Sequence, residues 1–464
     1  MNKTLLFFLL ICFSEATIAQ QKKGPNVIII MTDDMGYADV GFNGCKDIPT
    51  PNIDRIAAAG VVFTSGHVSY AVCSPSRAGL LTGRYSQRFG YERNVLYMPK
   101  DAAMGLSLDE ETMADALGRS GYRSMLVGKW HLGAHPNLHP LKRGFNEFFG
   151  FLGGGHQYFP SALQIVDPLS VDDEGSSYKT KLNRGLAVVE EQEYITDAFS
   201  REAVSFVERN RTNPFFLYLA YNAPHSPLQA PDQYLSRFNH IADNKRRIYA
   251  AMVSAIDDGV GRLLDKLKET GQDKNTLLFF LSDNGGPLDN GSSNHPLSGK
   301  KGNLYEGGIR VPFAMQWPGV IAAGTVYEKP VISLDIFATA LGSLQKTVVT
   351  KNPLDGVNLI PFLTGKKKGA PHEILFWRNQ DMNAYAAINA DGKKLWMKGD
   401  TTFLFDLGKS GEEKQHLANE NPALVLKLKR QVAEWEKGLK PPAFLGLSQR
   451  DEYIRLRSKA DLPK

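Results

Sequence analysis

Short runs of almost wholly apolar residues, each followed within a few positions by polar or charged residues, constrain the fold of this chain more than any other feature. One run occupies residues 27–31 (VIIIM), and similar runs occupy residues 215–219 (FFLYL) and 276–281 (TLLFFL). A strand with one solvated face alternates apolar and polar residues, whereas a strand covered on both faces is apolar throughout. The runs therefore predict β-strands inside a parallel sheet.

Amphipathic stretches separate these strands. Apolar residues recur every three or four positions after Pro51 and over residues 194–209 and 245–270, which predicts helices there. Asp257, in the last of these, is expected on its solvated face. Residues 107–110 (SLDE) match a capping box and predict the start of a further helix. Apolar strands that alternate with helices predict an α/β fold with a helix-covered parallel sheet.

The composition becomes polar around residues 365–369, and short β-prone runs follow. Asp391-Gly392 between two of them indicates a tight hairpin. We expect a C-terminal subdomain over residues 370–464, made of a four-stranded antiparallel sheet and one helix, after a catalytic domain over residues 24–365. The four runs are residues 374–377, 384–388, 394–397 and 403–407.

The first nineteen residues have the pattern of a signal peptide. Lys3 precedes an apolar run over residues 5–13, and small residues lead up to a predicted cleavage after Ala19. This run is too short to span a bilayer, and no other segment is apolar enough to do so. We expect an exported protein, periplasmic or secreted, without a membrane span.

The residues that follow the predicted strands suggest a site. Asp33 and Asp34 follow the first apolar run, and Asp283 and Asn284 follow the run at 276–281. Paired acids can form a solvated turn, but open α/β sheets bind ligands at the carboxyl ends of their strands. Carboxylate and amide oxygens are ligands that suit Ca²⁺ or Mg²⁺.

Three further strand ends are expected at the same edge. One carries Cys73, another Lys129 and His131, and the third His225 between two prolines. Cys73 opens residues 73–77 (CSPSR), where the proline suits the first turn of a helix and the helix dipole favours an anion or an activated nucleophile. A lone cysteine can equally be a small buried hydrophobe.

Residues 73–77 and 79–84 (GLLTGR) resemble the signature of the type I, arylsulfatase-like sulfatases, and residues 128–133 (GKWHLG) and 300–308 (KKGNLYEGG) resemble further blocks of that family. The resemblance covers nearly the whole mature chain. It implies an alkaline-phosphatase-like fold, with a large mixed or parallel sheet sandwiched by helices. It also implies that a formylglycine-generating or radical maturase oxidises Cys73 to Cα-formylglycine, which leaves Cys45 unpaired rather than in a disulfide.

The resemblance further implies a role for each site residue. One Ca²⁺ would be bound by Asp33, Asp34, Asp283, Asn284 and an oxygen of the modified Cys73. Arg77 would hold the formylglycine, Lys129 and Lys301 would bind the sulfate oxygens, and His131 and His225 would move protons. Counting back from Glu306 aligns Lys301 with the family's lysine, and Lys300 remains the alternative. The expected reaction is attack on sulfur by a hydroxyl of the formylglycine hydrate.

The expected substrate is a sulfated oligo- or polysaccharide. Residues 85–97 (YSQRFGYERNVLY) and 153–159 faintly resemble bacterial polysaccharide sulfatases that act on algal galactans such as carrageenan, and glycosaminoglycans remain open. His156 and Arg93 are the candidate substrate contacts. The stretch 85–97 could equally be a packed loop.

Two rival functions remain at this point: a formylglycine-dependent phosphonate monoester or phosphodiester hydrolase, and a non-catalytic protein that binds sulfated glycans. A composition with 42% hydrophobic and 22% charged residues argues against disorder. The net charge of +5 is mildly favourable for anionic substrates. No dense run of lysine and arginine predicts a nucleic-acid partner.

Overall fold

The computed structural model describes residues 24–344, 346–408 and 411–460, with side chains described up to residue 457. The predicted signal peptide lies outside these residues. Twelve strands lie in the part of the described chain before residue 345: β1 (Asn26–Thr32), β2 (Val61–Phe63), β3 (Gly66–His67), β4 (Arg123–Lys129), β5 (Glu147–Phe151), β6 (Leu182–Arg184), β7 (Ala187–Val189), β8 (Phe215–Ala220), β9 (Thr276–Ser282), β10 (Phe313–Gln316), β11 (Thr325–Tyr327) and β12 (Val331–Ile332).

Helices connect the strands and follow them. They are α1 (Pro51–Ala58), α2 (Cys73–Thr82), α3 (Met113–Gly118), α4 (Glu174–Ser177), α5 (Ile195–Arg209), α6 (Asp232–Leu235), α7 (Asn244–Glu269), α8 (Glu306–Ile309), α9 (Asp335–Gly342), α10 (Ile360–Leu363), α11 (Pro422–Glu436) and α12 (Arg450–Ala460). No helix among the described residues combines the length and the apolar character that a membrane crossing requires.

Ten strands form one sheet in the order β11-β2-β10-β9-β1-β8-β4-β5-β6-β7. The five central strands from β9 to β5 pair in parallel, and the antiparallel pairs lie towards the two edges. Strands β3 and β12 form a separate parallel pair. The predicted mixed, largely parallel sheet is thus confirmed.

The two faces of the central strands explain why their sequences are apolar throughout. In β1, Val27 and Ile29 belong to a core shared with α2, α3 and α9, whereas Ile28 and Ile30 belong to a core shared with α1, α5 and α7. Successive side chains of a strand point to opposite faces. A sheet with helices on both faces therefore confines the polar residues of β1 to its two ends, Asn26 and Thr32.

Two local predictions were wrong. The capping box is formed by Thr112 and Asp115 at the start of α3, while Leu108 of the predicted box is 59% exposed. Asp257 is buried, and its carboxylate accepts hydrogen bonds from the backbone N–H groups of Asn52 and Ile53 at 3.0 and 2.8 Å. It caps α1 from α7, because the first N–H groups of a helix have no intrahelical partner.

Strands β13 (Ile374–Asn379), β14 (Ala384–Asn389), β15 (Lys393–Lys398) and β16 (Thr401–Asp406) form the C-terminal antiparallel sheet in sequence order. One face packs on the main domain through Leu375 and Trp377, and the other packs on α11 through Leu395 and Leu428. The predicted small sheet is confirmed, but the described chain carries a second C-terminal helix, α12. The domain boundaries at 365 and 370 stay a prediction.

Candidate active site

Four adjacent strands of the main sheet, β9, β1, β8 and β4, end at the same edge. Asp283 and Asn284 follow β9, and Asp33 and Asp34 follow β1. Lys129 is the last residue of β4, and the loop after β8 carries His225. Because parallel strands end together, residues far apart in the sequence meet in one pocket.

Cys73 lies at the start of a helix and not, as the sequence suggested, at the end of a strand of the main sheet. It is the first residue of α2, and the strand before it, β3, belongs to the small sheet and not to the main one. Its side chain is buried, with Sγ 3.5 Å from Asp33 Oδ1 and 3.2 Å from Lys301 Nζ. Both described cysteines are free thiols, and Cys45 is only half-buried.

Three cationic side chains balance the three carboxylates of the pocket. Arg77 donates from Nε to Asp283 Oδ2 at 2.9 Å. Lys129 Nζ lies 2.6 Å from Asp33 Oδ2, and Lys301 Nζ lies 2.7 Å from Asp34 Oδ1. Arg77 and Lys129 are fully buried. Buried charges of this kind persist only where partners compensate the loss of water.

The pocket alters the proton affinities of its members. Burial and the negative charge of Asp33 raise the pKa of Asp283 to about 6. Burial acts in the same direction on Asp34, but the charges of Lys301 and His225 outweigh it and hold the pKa of Asp34 below its usual range. Burial also raises the pKa of the Cys73 thiol. A bound cation would oppose the rise at Asp283.

Both histidines of the pocket have a lowered pKa. Burial lowers the pKa of His225, while Asp34, whose Oδ2 lies 3.6 Å from His225 Nε2, opposes the fall. His225 Nδ1 lies 2.6 Å from the Ser226 carbonyl oxygen, which turns Nε2 towards the carboxylates. Burial, together with the charges of Lys129 and Arg77, lowers the pKa of His131 well below its usual value.

Backbone strain is concentrated in the same place. Four non-glycine residues of the described chain have positive φ, and two of them, Asp34 (φ 64°) and His131 (φ 55°), belong to the pocket. Residues without a glycine's freedom adopt this conformation at a cost, and such strain is typical of functional sites.

The carboxylates can hold a metal ion. Ligand atoms of Asp33, Asp34, Asp283 and Cys73 all lie within 4.8 Å of one another. The amide oxygen of Asn284 is buried and has no hydrogen-bond partner among the described residues, although its Nδ2 donates to Asp34 Oδ1 at 2.7 Å. A buried acceptor without a donor beside three carboxylates fits a hard cation such as Ca²⁺.

The geometry separates the two candidate lysines. Lys301 Nζ contacts both Asp34 and Cys73, whereas Lys300 has an exposed side chain and bonds to Asn303 through its backbone. Lys301 therefore lies in the pocket and Lys300 does not.

His156 is the first of the two predicted substrate contacts, and this role stays a prediction. Its ring is fully buried, stacks on Phe151 at 4.4 Å between ring centroids, and has Nδ1 2.9 Å from the Gln157 carbonyl oxygen. Arg93 is committed to a bidentate ion pair with Asp381 and also donates to the Phe444 carbonyl at 2.9 Å. These bonds occupy its guanidinium at the junction with the C-terminal region.

The surroundings of His131 contain residues that sequence reasoning missed. A Cβ at Gly154 would lie 2.8 Å from both His131 Nε2 and Glu174 Oε1, so both side chains border the space beside Gly154. Glu174 Oε2 is buried without a partner among the described residues. Tyr178, at the end of α4, borders the same space beside Gly155.

Most of residues 85–97 form a packed loop, with Tyr85, Phe89 and Tyr91 buried. Its last three residues, Val95 to Tyr97, line a small gap together with His131 and Glu174. These three residues are buried as well, so the packed-loop alternative describes them too.

The fold and the pocket together define an enzyme with an α/β sheet and a buried centre, in which lysine and arginine side chains could bind an anionic ester. The family model of the sulfatases matches residues 25–346. The N-acetylgalactosamine-6-sulfatase of Mus musculus is 36% identical over 376 residues, which is 78% of this chain and 70% of that protein. The chain belongs to the sulfatase family and is a sulfuric ester hydrolase.

Solved structures agree with this assignment. The structure described as "Ps i-CgsB in complex with k-i-k-neocarrahexaose" has a TM-score of 0.86 and 38% identity, and covers 95% of this chain and 98% of its own. The phosphonate monoester hydrolase of Agrobacterium radiobacter has a TM-score of 0.65 at 21% identity, over 89% of this chain and 96% of its own, and shares the fold. The expected alkaline-phosphatase-like sulfatase fold is confirmed. Family membership favours neither rival function.

Proposed function

We propose that this hydrolase removes sulfate from a sulfated carbohydrate, with an oxidised Cys73 as the source of the nucleophile. The observation that supports this most strongly is the position of Cys73. Its Sγ lies between Lys301 Nζ and Asp33 Oδ1, at the start of α2. A sulfate ester placed there would meet positive charge from the lysines and from the helix dipole.

The pocket fits a formylglycine better than a thiol. Burial raises the pKa of Cys73, so an unmodified thiol would be a poor nucleophile at neutral pH. A hydrated aldehyde at position 73 would supply one hydroxyl as the oxygen nucleophile. Deprotonation of its second hydroxyl would then expel the sulfate and restore the aldehyde. Arg77, paired with Asp283, lies one helical turn further along α2 and would orient that group.

Lys129 and Lys301 are proposed to bind the sulfate oxygens. Their ammonium groups neutralise the charge that makes attack on an anionic ester slow, and they act in a pocket shielded from water. Each contacts a different carboxylate of the pocket, Asp33 and Asp34 respectively.

The histidines are proposed to move the protons. An anionic substrate raises the proton affinity of His225 Nε2, which can then deliver a proton to the departing sugar oxygen. His131 is neutral, because its pKa is lowered by burial and by Lys129, and can accept a proton from the group at position 73. Neutral imidazole is the form that a general base requires.

We propose Ca²⁺ as the metal, bound by Asp33, Asp34, Asp283, Asn284 and an oxygen on residue 73. Bound calcium would supply positive charge that stabilises the sulfate oxygens and the nucleophile. The amide of Asn284 supports this assignment, because its buried oxygen has no other partner among the described residues.

Calcium removal tests this site. We expect chelation to abolish sulfate release and to lower the melting temperature, and calcium at a hundred times its Kd to restore about 2.7 kcal/mol of stability. Asn284→Ala should reduce the calcium-dependent rise in melting temperature. Asn290→Ala, which changes another buried amide of the same loop, is the control. An equal rise in wild type and Asn284→Ala would contradict the assignment.

The substrate that the similarities favour is a sulfated galactan of the carrageenan type. The neighbour described with a neocarrahexaose matches almost the whole chain, at 38% identity. The similarity to N-acetylgalactosamine-6-sulfatase makes sulfated glycosaminoglycans the second candidate.

Sulfate release from defined oligosaccharides tests this substrate. The protein, coexpressed with a maturase, is incubated with carrageenan and glycosaminoglycan oligosaccharides, an aryl sulfate and an aryl phosphodiester. We expect the highest kcat/KM with a carrageenan oligosaccharide and a much lower value with the phosphodiester. Faster hydrolysis of the phosphodiester, or no release from any carbohydrate, would overturn the proposal.

A further inference from the structure

A groove of about 360 Å³ lies between α12 and two loops of the main domain. Three of its nine lining side chains are cationic, Lys100, Arg450 and Arg457, and one is anionic, Asp172. Arg450, Ile454 and Arg457 recur at the spacing of one helical face. The groove therefore presents a positively charged surface with an apolar centre.

The cations of this groove form no close ion pair with another described residue. Many arginines of the described chain form ion pairs, such as Arg88 with Asp355 and Arg184 with Glu202. Within the described residues, none of the three groove cations lies within 4.0 Å of a carboxylate oxygen. Arg457 lies over the Tyr453 ring at 5.5 Å, and Tyr453 in turn donates to Asp101 Oδ2 at 2.7 Å, which anchors α12.

Two backbone segments connect the groove with the active site. Asn94 accepts a hydrogen bond from the Ser74 N–H, next to Cys73, and residues 95–97 line the gap beside His131. Residues 98–100 then line the groove. Three residues span at most about 11 Å, so Lys100 lies near the wall of that gap.

The second segment, residues 171–174, also connects the groove with the gap beside His131. Glu174 borders the gap beside His131, while Val171 and Asp172 line the groove. Asp173, between them, has a lowered pKa, because its carboxylate accepts hydrogen bonds from Ser176 and also because of the charge of Arg450. Each of the two segments thus has residues at the groove and, a few positions away, residues at the gap beside His131.

We propose that this groove binds a second sulfate ester of the same substrate chain while the sulfate to be removed lies at residue 73. The inference rests on the proposed carbohydrate substrate. Guanidinium groups match the oxygens of a sulfate in the way that they match a phosphate, and Ile454 and Tyr453 offer an apolar surface for the sugar between. The preferred substrates then carry sulfate on more than one sugar.

The test compares two hexasaccharides, one sulfated on successive sugars and one with a single sulfate, with an aryl sulfate as the small reference. In wild type, KM should be lower for the multiply sulfated chain. The double variant Lys100→Gln/Arg457→Gln should raise the KM of that chain relative to the aryl sulfate about fivefold, as the loss of two exposed charge contacts implies. Added salt should reduce the difference between wild type and variant.

The matched control is Lys427→Gln/Arg430→Gln, which removes a lysine and an arginine from the exposed surface of α11. An unchanged KM ratio in the groove variant, or an equal rise in the control, would overturn the inference. Wild type that desulfates both hexasaccharides with equal KM would overturn it while leaving the proposed function intact. Wild type that desulfates neither would overturn both.

Discussion

The side chains of the pocket form a chain of opposite charges in which each lysine faces a carboxylate and Cys73 lies between them. Lys129 bonds to Asp33 and Lys301 to Asp34, and the second of these pairs also contacts the thiol. Because both lysines are close to the position of the reacting group, each is well placed to neutralise charge that develops there. This arrangement distinguishes Lys301 from its neighbour in the sequence.

Substitution of the two adjacent lysines tests that distinction. Lys301→Met should lower kcat/KM for an aryl sulfate by about 10²–10³-fold, the cost of removing one stabilising group from a developing charge. Lys300→Met removes the same charge from the surface and should change kcat/KM less than about twofold, since surface charges interact weakly. Circular dichroism checks that both variants fold. Equal losses in both would contradict the role of Lys301.

Much of the pocket could be predicted from the sequence, because apolar strands reveal where their ends must meet. Asp33, Lys129 and Asp283 follow such strands, and the structure brings them together. His156 could not be judged this way, since a histidine in a glycine-rich loop gives no sign of whether its ring is exposed. Glu174 was missed because nothing in the sequence around the short helix α4 predicts that this segment packs beside His131.

At the scale of elements, the structure depends on side chains that satisfy the free ends of other elements. Asp257 of α7 caps the start of α1, and Asp335 accepts hydrogen bonds from the N–H groups of Ile332 and Val357 at 3.0 and 2.8 Å. The cap of α1 joins residues that lie far apart in the sequence. For this reason the sequence predicted the helix but not the side chain that caps it. Periodicity reports the face of a helix, but the donor that a carboxylate accepts from is set by the tertiary fold.

The pair of Asp335 with His372 is expected to make a pH-dependent contribution to stability. His372 Nε2 lies 2.8 Å from Asp335 Oδ1, and although burial opposes it, the charge of Asp335 raises the pKa of His372. A histidine with a raised pKa in the folded state stabilises fully below its unfolded pKa of about 6.5 and loses this contribution as the pH rises through the folded value. His372→Gln should therefore lower the urea midpoint more at pH 6 than at pH 9. An equal loss at both values would contradict the charged pair.

At the scale of the whole molecule, a buried ion cluster joins the C-terminal sheet to the catalytic domain. Lys394 of β15 lies 2.8 Å from Glu306 and 2.9 Å from Glu413, and Glu306 lies 3.0 Å from His67 Nε2. All of these side chains are buried. Glu306 begins α8, a few residues after Lys301, so the C-terminal sheet supports the segment that carries a pocket residue.

Two adjacent lysines of β15 measure what this cluster contributes. Lys394→Met leaves Glu413 buried without its cation and Glu306 with only His67 and Arg310, and should lower the free energy of unfolding by about 3–5 kcal/mol. Lys393→Met removes an exposed pair with Asp406 and should cost less than about 1 kcal/mol. Urea denaturation of both variants gives the comparison. A loss for Lys394→Met no larger than that for Lys393→Met would show that the cluster does not hold the two sheets together.

The chemical state of residue 73 in active enzyme tests the central claim most directly. Trypsin releases residues 56–77 as one peptide, between Arg55 and Arg77. Its mass is measured in preparations made with and without a maturase, beside the rate of sulfate release from the same samples. The proposed mechanism predicts that activity rises in proportion to the fraction of peptide with the aldehyde mass. A fully active preparation in which residue 73 carries only the unmodified thiol would contradict it.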